Sequence, residues 1–327
     1  MATVSTPFRC YAYAGKADLA AIARLVNACR EADNLDSRTS IVDLQDDFAN
    51  PKFDIDRDLR LWRNDHGEVV AIAELWHGSQ PSETEFLGSF YFDIHPQVRG
   101  NGLEETTLAW AEQRLRAASQ GTARPLTLHT SCRDTLTERR NLLQQVGFIP
   151  ERYFFQLKRD LKHEIVVPAL PPGWKIRSVD PEQDAEAWVA MFNQSFVDHW
   201  NHSPMTVEEF HYYSRFNHHD PALDLVIETH DGTLVTFCYS SINPDYNQRL
   251  QRKEGHVCLL GTRRGYRRQG LARTLLAAGL QRLQAKGMEY ATIGVDAQNP
   301  TGAVGLYTSV GFSENRRSTV YRKGVSI

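Results

Sequence analysis

The feature that most constrains the fold is an internal repeat, because the two halves of the chain carry the same succession of motifs. The stretches PFRCYAYAGKADLAAIARLVNAC, from Pro7, and PPGWKIRSVDPEQDAEAWVAMFNQSF, from Pro171, both predict a strand, a turn and a helix. FDIHPQVRGNGLEETTLAWAEQRL and LLGTRRGYRRQGLARTLLAAGLQRL both pass from a strand through a glycine-containing turn into a helix. The copies end at Phe148 of LLQQVGF and Phe312 of LYTSVGF. Such self-similarity predicts two similar domains in tandem.

Each copy also contains a β-hairpin. DLRLWRNDHGEVVAIAELW and DLVIETHDGTLVTFCYS alternate apolar and polar residues around tight turns at Asp65-His66-Gly67 and Asp231-Gly232. Hairpins combined with helices predict a mixed α/β (α+β) class. Three prolines in EIVVPALPPGW, Glu164 to Trp174, predict a stiff connector. We therefore expect domains at residues 1–166 and 167–327.

Composition disfavours several classes of function. The chain has 327 residues, 24% of them charged, with a net charge of −3. Nucleic-acid binding usually needs a surplus of Lys and Arg, because neutralisation of phosphates dominates that affinity. The five cysteines form no CxxC pair, which argues against a disulfide framework or a zinc ribbon and favours a reducing compartment.

The sequence also predicts where the protein resides. Its N-terminus lacks a basic region followed by an apolar run, and no stretch approaches the ~20 apolar residues that span a bilayer. We expect a cytoplasmic monomer or homodimer that binds neither membrane, nucleic acid nor metal.

One stretch, RRGYRRQGLARTLL from Arg263 to Leu276, predicts an anion site. Gly270 permits backbone conformations closed to other residues, and the small Ala272 lets a ligand approach the backbone. The unpaired amides at the start of the following helix, together with its dipole, favour a phosphate or diphosphate. The stretch matches neither GxxxxGK[ST] nor GxGxxG. A glycine-containing turn alone is also common between strands and helices for reasons of geometry.

A second motif makes the turn more specific. R-x-x-G-x-A, residues 267–272, is followed about thirty residues later by VDAQNPTGAVGLYTSVGF. This pair of motifs is similar to the acetyl-CoA-binding signature of GNAT-family N-acetyltransferases. Over its whole length, the chain resembles tandem GNAT proteins of the mycothiol synthase type, which have a degenerate N-terminal copy. The resemblance implies two domains, each a mixed, mostly antiparallel twisted sheet flanked by helices.

The resemblance also implies an activity and a set of contacts. Acetyl would pass from acetyl-CoA to a primary amine of a small molecule, or to a peptide amine, by direct transfer in a ternary complex. The resemblance implies that the diphosphate is held by main-chain amides of the turn: those of Arg268, Gln269, Gly270, Leu271 and Ala272. Arg267 or Arg273 would supply charge. The strand residues Leu259, Leu260 and Thr262 would lie along the pantetheine arm, and Asn299 would contact the coenzyme.

The corresponding turn of the first copy, Arg99-Gly100-Asn101-Gly102-Leu103-Glu104, differs at its sixth residue. Glu104 and Glu105 stabilise the start of a helix but repel a diphosphate. Leu143 and Thr135 replace Tyr307 and Asn299. We therefore expect the first domain to retain the fold without binding coenzyme. The rival interpretation is a second active site with unusual contacts.

Acyl transfer needs a neutral amine, stabilisation of an oxyanion and a proton for the departing thiolate. The resemblance implies a backbone amide near Leu260 for the oxyanion and the Tyr307 hydroxyl for the thiolate. His256 stands where similar proteins carry a glutamate base, and its ordinary pKa of ~6.5 suits proton abstraction. Glu254, two residues away on the same strand face, is a substitute or a partner. The alternative is that both are merely solvated residues at the strand end.

Other residues suggest further catalytic, metal-binding or acceptor-binding roles. Cys258 suggests an acetyl-cysteine intermediate, but a strand cysteine is usually a small buried hydrophobe. His199, His202, His218 and His219 fit no closed zinc spacing. Trp200, Tyr212 and Tyr213 lie in the region that typically walls the acceptor site in GNAT folds, so we expect them to contact the acceptor.

Two alternative functions remain open from the sequence. The fold could serve as a non-catalytic acyl-CoA sensor or scaffold. The arginines could instead bind RNA or DNA, although Tyr266 is the one aromatic residue interspersed among them that could stack on a base.

Overall fold

The structure is a computed structural model, and it describes residues 8–77, 84–200, 202–216, 218–299 and 302–326. Its internal contacts divide the chain into two compact units. The first unit comprises Met1–Glu151 and Thr319–Ile327, and the second comprises Arg152–Ser318. Each unit combines a mixed sheet with helices, as the sequence predicts.

In the described part of the first unit, strands pair in the order β1-β2-β3-β4-β5, and only β4 and β5 run parallel. The strands are β1 (Arg9–Tyr11), β2 (Leu59–Arg63), β3 (Val69–His77), β4 (Phe86–Ile94) and β5 (Leu126–Arg133). The helices are α1 (Lys16–Ala32), α2 (Ile41–Phe48), α3 (Ile55–Asp58), α4 (Leu103–Ala118) and α5 (Thr137–Gln145).

The second unit repeats this plan. Its strands pair in the order β6-β11-β10-β9-β8-β7, and among its described residues only β10 and β11 run parallel. The strands are β6 (Ile149–Asp160), β7 (Lys175–Ser178), β8 (Asp224–Glu228), β9 (Leu234–Ser241), β10 (Glu254–Thr262), β11 (Tyr290–Asp296) and β12 (Ser313–Val325). The helices are α6 (Ala185–Phe196), α7 (Val207–Ser214), α8 (Pro244–Arg249), α9 (Leu271–Ala285) and α10 (Ala303–Ser309).

The division between the units differs from the predicted boundary near Val167. The chain enters the second unit within β6 and returns to the first within β12. Leu157, Leu161 and Ile165 pack in the core of the second unit, which explains why the division falls before them. The segment from Glu164 to Trp174 contains no helix or strand, as its prolines predict.

Apolar periodicity in α9 accounts for its position against the sheet of the second unit. Its leucines recur on one face and are almost fully buried: Leu271, Leu275, Leu276, Leu280 and Leu283. They pack with alternate residues of β10 and β11, among them Val257 and Ile293. The other face of the sheet carries α6, whose Trp188 and Phe192 pack on Phe237 of β9. The start of α9 is thereby fixed beside β10.

Two kinds of feature are absent among the described residues. No helix there is both long and apolar enough to cross a membrane. No group of three or more His, Cys, Asp or Glu side chains in the same residues is arranged to hold a metal ion.

Candidate active site

Strand β10 opens a gap in the sheet of the second unit. Its parallel ladder with β11 runs from Glu254 opposite Tyr290 to Val257 opposite Ile293, and then stops. Beyond that point β10 continues along β9 as far as Thr262, while β11 continues along β6 to Asp296. The two strands therefore separate and leave main-chain groups of β10 available to a ligand.

A β-bulge lies where the gap begins. The register of β10 with β9 shifts between Val257 and Leu259, so Cys258 is an extra residue in the ladder. No such shift interrupts the pairing of β4 with β3 in the first unit. A Cβ atom on Gly255 would collide with Leu283, as one on Gly88 would with Leu115, so these glycines are structurally equivalent.

The sequence shows the same difference. Gly255 is one residue further from Gly270 than its counterpart Gly88 is from Gly102. Only the second unit therefore has the extra residue.

The turn between β10 and α9 presents the unpaired amides of a helix start. Gly270 caps α9 in the left-handed conformation, with φ 80° and ψ −4°, and no side chain caps this helix. The first turn of α9 contains no acidic residue. Arg268 is also left-handed, with φ 66°, which is unusual for a residue with a Cβ atom. The amides and the helix dipole at this position suit the anion that the sequence predicts.

The arginines of the turn have different partners. Arg267 donates from Nη1 to Asp198 Oδ2 at 2.8 Å, from Nη2 to the Ser195 carbonyl at 2.8 Å and from Nε to the Thr262 carbonyl at 3.3 Å. Arg273 donates to the Ser309 hydroxyl at 2.7 Å. One or the other was predicted to supply charge to the diphosphate, but both guanidinium groups are already engaged. The Arg268 side chain makes no hydrogen bond or ion pair with any described residue.

A cavity of about 1160 Å³ extends from this turn into the gap between β10 and β11. Most residues predicted to contact the coenzyme line it: Leu259, Leu260, Thr262, Arg267, Arg268, Gly270, Leu271, Ala272, Arg273 and Asn299. Gln269 is exposed and does not contribute to the lining. The structure thus brings the two motifs together around one cavity.

Tyr307 reaches this cavity from α10. It is 7% exposed, and burial raises the pKa of its hydroxyl above the ordinary value. A phenol with a raised pKa keeps its proton at neutral pH, as a proton donor must. Its ring packs on Phe312 with the ring centroids 6.1 Å apart, which helps to fix its orientation.

His256 lies opposite Thr292, one pair before the parallel ladder ends. Its Nδ1 atom is 3.0 Å from the Thr292 hydroxyl. Burial, assisted by the positive charge of Arg316, lowers the pKa of His256 to about 4. The imidazole is therefore neutral at neutral pH. His256 does not line the cavity itself, but Cys258, on the same strand face, does.

Glu254 is paired. Its carboxylate lies 3.4 Å from Lys158 Nζ, and only 9% of its side chain is exposed. Lys158 also sits over the Tyr290 ring at 3.9 Å. This arrangement, at the end of β10 far from the gap, resembles a structural ion pair. The prediction that Glu254 acts as a base, or as a partner of His256, receives no geometric support from it.

The surroundings of Cys258 favour a passive thiol. Its sulfur is 3.2 Å from the Ser241 hydroxyl, and burial raises the pKa of the thiol to about 11. The thiol is consequently protonated at neutral pH and is a poor nucleophile.

Sequence reasoning missed an ion pair in the cavity wall. Asp296, at the end of β11, lines the cavity and accepts from Arg152 Nε at 2.8 Å and Nη2 at 2.7 Å. The Arg152 guanidinium lies 5.1 Å from the centre of the Trp200 ring, and Phe154 lies 6.0 Å from that ring. The only signal in the sequence was that Asp296 belongs to the second motif.

The residues predicted to contact the acceptor lie at the margin of the site. Neither Trp200, Tyr212 nor Tyr213 lines the cavity, although Ser195, Phe196 and His199 of the same region do. Tyr212 and Tyr213 instead form an aromatic cluster with Phe216 near the end of α7. Trp200 is connected to the cavity wall through Arg152 and Phe154.

In the first unit, the side chain of Glu104 occupies one amide of the equivalent turn, although no side chain caps α4 itself. The Gly100 amide donates to Glu104 Oε1 at 2.8 Å, and Gly102 adopts φ 85° and ψ 3° at the start of α4. Arg99 donates to the Ile94 carbonyl and pairs with Asp33, as Arg267 does with Thr262 and Asp198. The turn has thus kept its shape while a carboxylate occupies an amide that a phosphate would need.

A separated strand pair, a turn whose amides face a cavity and a buried tyrosine suit an acyl-CoA-dependent acyltransferase. Residues 185–312 match the Acetyltransferase (GNAT) family. Mycothiol acetyltransferase of Streptomyces coelicolor is 30% identical over 263 residues, which cover 79% of this chain and 77% of that protein. The chain belongs to the GNAT family and is an N-acetyltransferase.

Other relatives extend the likeness over nearly the full length. Mycothiol acetyltransferase of Thermobispora bispora is 29% identical over 318 residues, 94% of this chain and 96% of that protein. A GCN5-related N-acetyltransferase from Sphaerobacter thermophilus has a similar structure, with a TM-score of 0.75, 25% identity and coverage of 99% and 98%. A tandem GNAT protein from the clavulanic acid biosynthesis pathway shares the two-domain fold, with a TM-score of 0.70, 16% identity and 98% coverage of both chains.

Proposed function

We propose that the second unit binds acetyl-CoA at the turn before α9 and transfers its acetyl group to a primary amine of a small molecule. The observation that carries this proposal is the contrast between two turns of the same shape. The turn before α9 opens on the cavity and has no carboxylate in the first turn of its helix, whereas in the turn before α4 the Gly100 amide is occupied by the Glu104 carboxylate. The proposal includes the inference that the first unit binds no coenzyme.

The contacts to the coenzyme follow from the chemistry of the turn. Amides of residues 268–272 would hold the diphosphate, with the small Ala272 leaving room for it. Arg268 would supply the positive charge, because it is the turn arginine without a protein partner in the described structure. Arg267 instead ties the turn to Asp198 and Ser195. The pantetheine arm would lie along Leu259, Leu260 and Thr262 in the gap, and reach towards Asn299.

The transfer step would use three groups. A main-chain amide near Leu260, on the part of β10 that has left β11, would stabilise the oxyanion. Tyr307 would protonate the departing thiolate. The neutral His256 would accept the proton that the amine loses, directly or through a water. A weak base suffices, because an amine nitrogen becomes much more acidic once it has attacked the carbonyl.

The relatives named mycothiol acetyltransferase support a small-molecule acceptor. This chain departs from that type at His256, where a glutamate base is expected. We therefore assign the acceptor to the class of primary amines. Such an acceptor would make polar contact with the ion pair of Asp296 and Arg152 in the cavity wall.

A thiol-release assay with acetyl-CoA and a panel of amines, followed by mass spectrometry of the products, tests the proposal. We expect release of coenzyme A that depends on one class of amine, and a product heavier by one acetyl group. Coenzyme binding without amine-dependent release for any amine would refute it.

A further inference from the structure

Thr292 is a buried threonine that contacts the proposed base. It lies on β11 directly opposite His256, and it is 2% exposed. Its hydroxyl oxygen is 3.0 Å from His256 Nδ1 and 3.4 Å from the Gly255 carbonyl oxygen. A polar group at this position requires an explanation, because a valine would satisfy the preference for apolar, β-branched residues in a buried strand.

Counting protons links the directions of these two hydrogen bonds. A threonine hydroxyl has one proton to donate, and a carbonyl oxygen can only accept. If Thr292 donates to the Gly255 carbonyl, its oxygen must accept from His256, and Nδ1 must then carry the proton. A neutral imidazole with a proton on Nδ1 has a lone pair on Nε2.

We propose that Thr292 is a positioning residue that holds His256 in the tautomer protonated at Nδ1, so that Nε2 is free to accept the proton of the attacking amine. This inference rests on the proposed role of His256 as the base. It goes beyond that role by assigning the proton-accepting atom and the residue that selects it.

The other groups around His256 are consistent with this assignment. Cys258 approaches the Ser241 hydroxyl and the His256 carbonyl oxygen, and not the ring. Lys158 is paired with Glu254, and Arg316 contributes only a positive charge that disfavours the imidazolium. Thr292 is the only described residue that forms a hydrogen bond with the His256 ring.

Nitrogen-15 NMR of the histidine rings in the full-length protein measures the tautomer without reference to activity. The resonances of His256 are assigned by their absence from the spectrum of His256→Gln. At neutral pH we expect the Nδ1-protonated tautomer in the wild type and in Thr292→Ser, and a loss of this preference in Thr292→Val. An Nε2-protonated wild-type ring would overturn the inference.

The kcat and KM of the Thr292 variants provide the second measurement. Since general-base catalysis typically contributes about 10²–10⁴-fold, we expect Thr292→Val to lower kcat at least about 10-fold with an unchanged KM for acetyl-CoA. Thr292→Ser should retain activity within about threefold, because it keeps the hydroxyl. Equal kcat in Thr292→Val and the wild type would overturn the positioning role.

Failure of the underlying proposal has a different signature. Full activity of His256→Gln would refute the role of His256 as the base, whatever tautomer the NMR spectrum shows. Absence of amine-dependent thiol release in the wild type would refute the proposed function itself.

Discussion

Arg267 donates to Asp198 Oδ2 at 2.8 Å, and the first unit contains the same pair in Arg99 and Asp33, with Nη1 and Oδ1 2.5 Å apart. In both units the arginine also donates from Nε to a carbonyl of the preceding strand, that of Thr262 or Ile94. The pair therefore persists in a unit where Glu104 occupies an amide of the turn. We infer that this arginine shapes the turn, and that a different residue supplies charge to the diphosphate.

Replacing Arg267 by lysine should weaken coenzyme binding indirectly. Lysine lacks the planar fork that reaches Asp198, Ser195 and Thr262 together, so the turn loses its anchor. We expect the KM for acetyl-CoA to rise about 10-fold, with a lower Tm and a nearly unchanged kcat at saturation, since about 1.4 kcal/mol corresponds to a factor of ten. Arg264→Lys is the control, because Arg264 contacts Asp198 from an exposed position. Equal KM values for the two variants would contradict the anchoring role.

Replacing Arg268 by glycine should change binding and stability in opposite directions. Glycine adopts φ 66° without strain, so we expect the free energy of unfolding to rise by about 1 kcal/mol. The loss of a charge-assisted contact worth about 1.5–3 kcal/mol should weaken coenzyme A binding about 10- to 100-fold. Calorimetric titration and denaturant unfolding measure the two effects. Binding as tight as that of the wild type would exclude Arg268 from the anion site.

Copying the first unit into the second tests the contrast between the turns. Ala272→Glu places a carboxylate where Glu104 caps its own turn, so we expect coenzyme A to lose its stabilising effect on Tm. Ala285→Glu, at the far end of the same helix, controls for the added charge and should keep that effect. Persistence of the stabilisation in Ala272→Glu would show that Glu104 does not explain the loss of coenzyme binding in the first unit.

Removing the Tyr307 hydroxyl separates catalysis from binding. Tyr307→Phe keeps the buried ring against Phe312 but provides no proton for the thiolate. We expect kcat to fall about 10²- to 10⁴-fold with the Kd for acetyl-CoA unchanged. Tyr321→Phe, in the first unit, should leave kcat unaltered. A kcat near the wild-type value for Tyr307→Phe would mean that the thiolate takes its proton from another group.

The pH dependence of kcat tests the environment of His256. Since its pKa is lowered to about 4, the neutral, proton-accepting form persists as the pH falls below 6.5 and is lost only around pH 4. We expect kcat under saturating acetyl-CoA and amine to inflect near pH 4 on its acid side. An inflection near pH 6.5 that disappears in His256→Gln would show that the ring titrates as an ordinary histidine.

The sequence predicted the repeat, the mixed α/β class and the helical face of leucines in α9, because each follows from local periodicity and turn residues. It also brought the turn at Gly270, Asn299 and Tyr307 into one site through the spacing of two motifs. It gave no indication that Arg267 and Arg273 are engaged, because Asp198, Ser195 and Ser309 approach them only after α6 and α10 have packed.

The sequence by itself determined that a helix begins with free amides after Gly270, since a positive φ and the absence of a capping carboxylate are properties of neighbouring residues. Only the tertiary structure decided which side chains around that helix start already have partners and which are available to a ligand. The bulge at Cys258, the ladder that ends at Val257 and the contact of Thr292 with His256 depend on strand pairs between distant segments. Their register is set by packing of the whole sheet, and no local pattern specifies it.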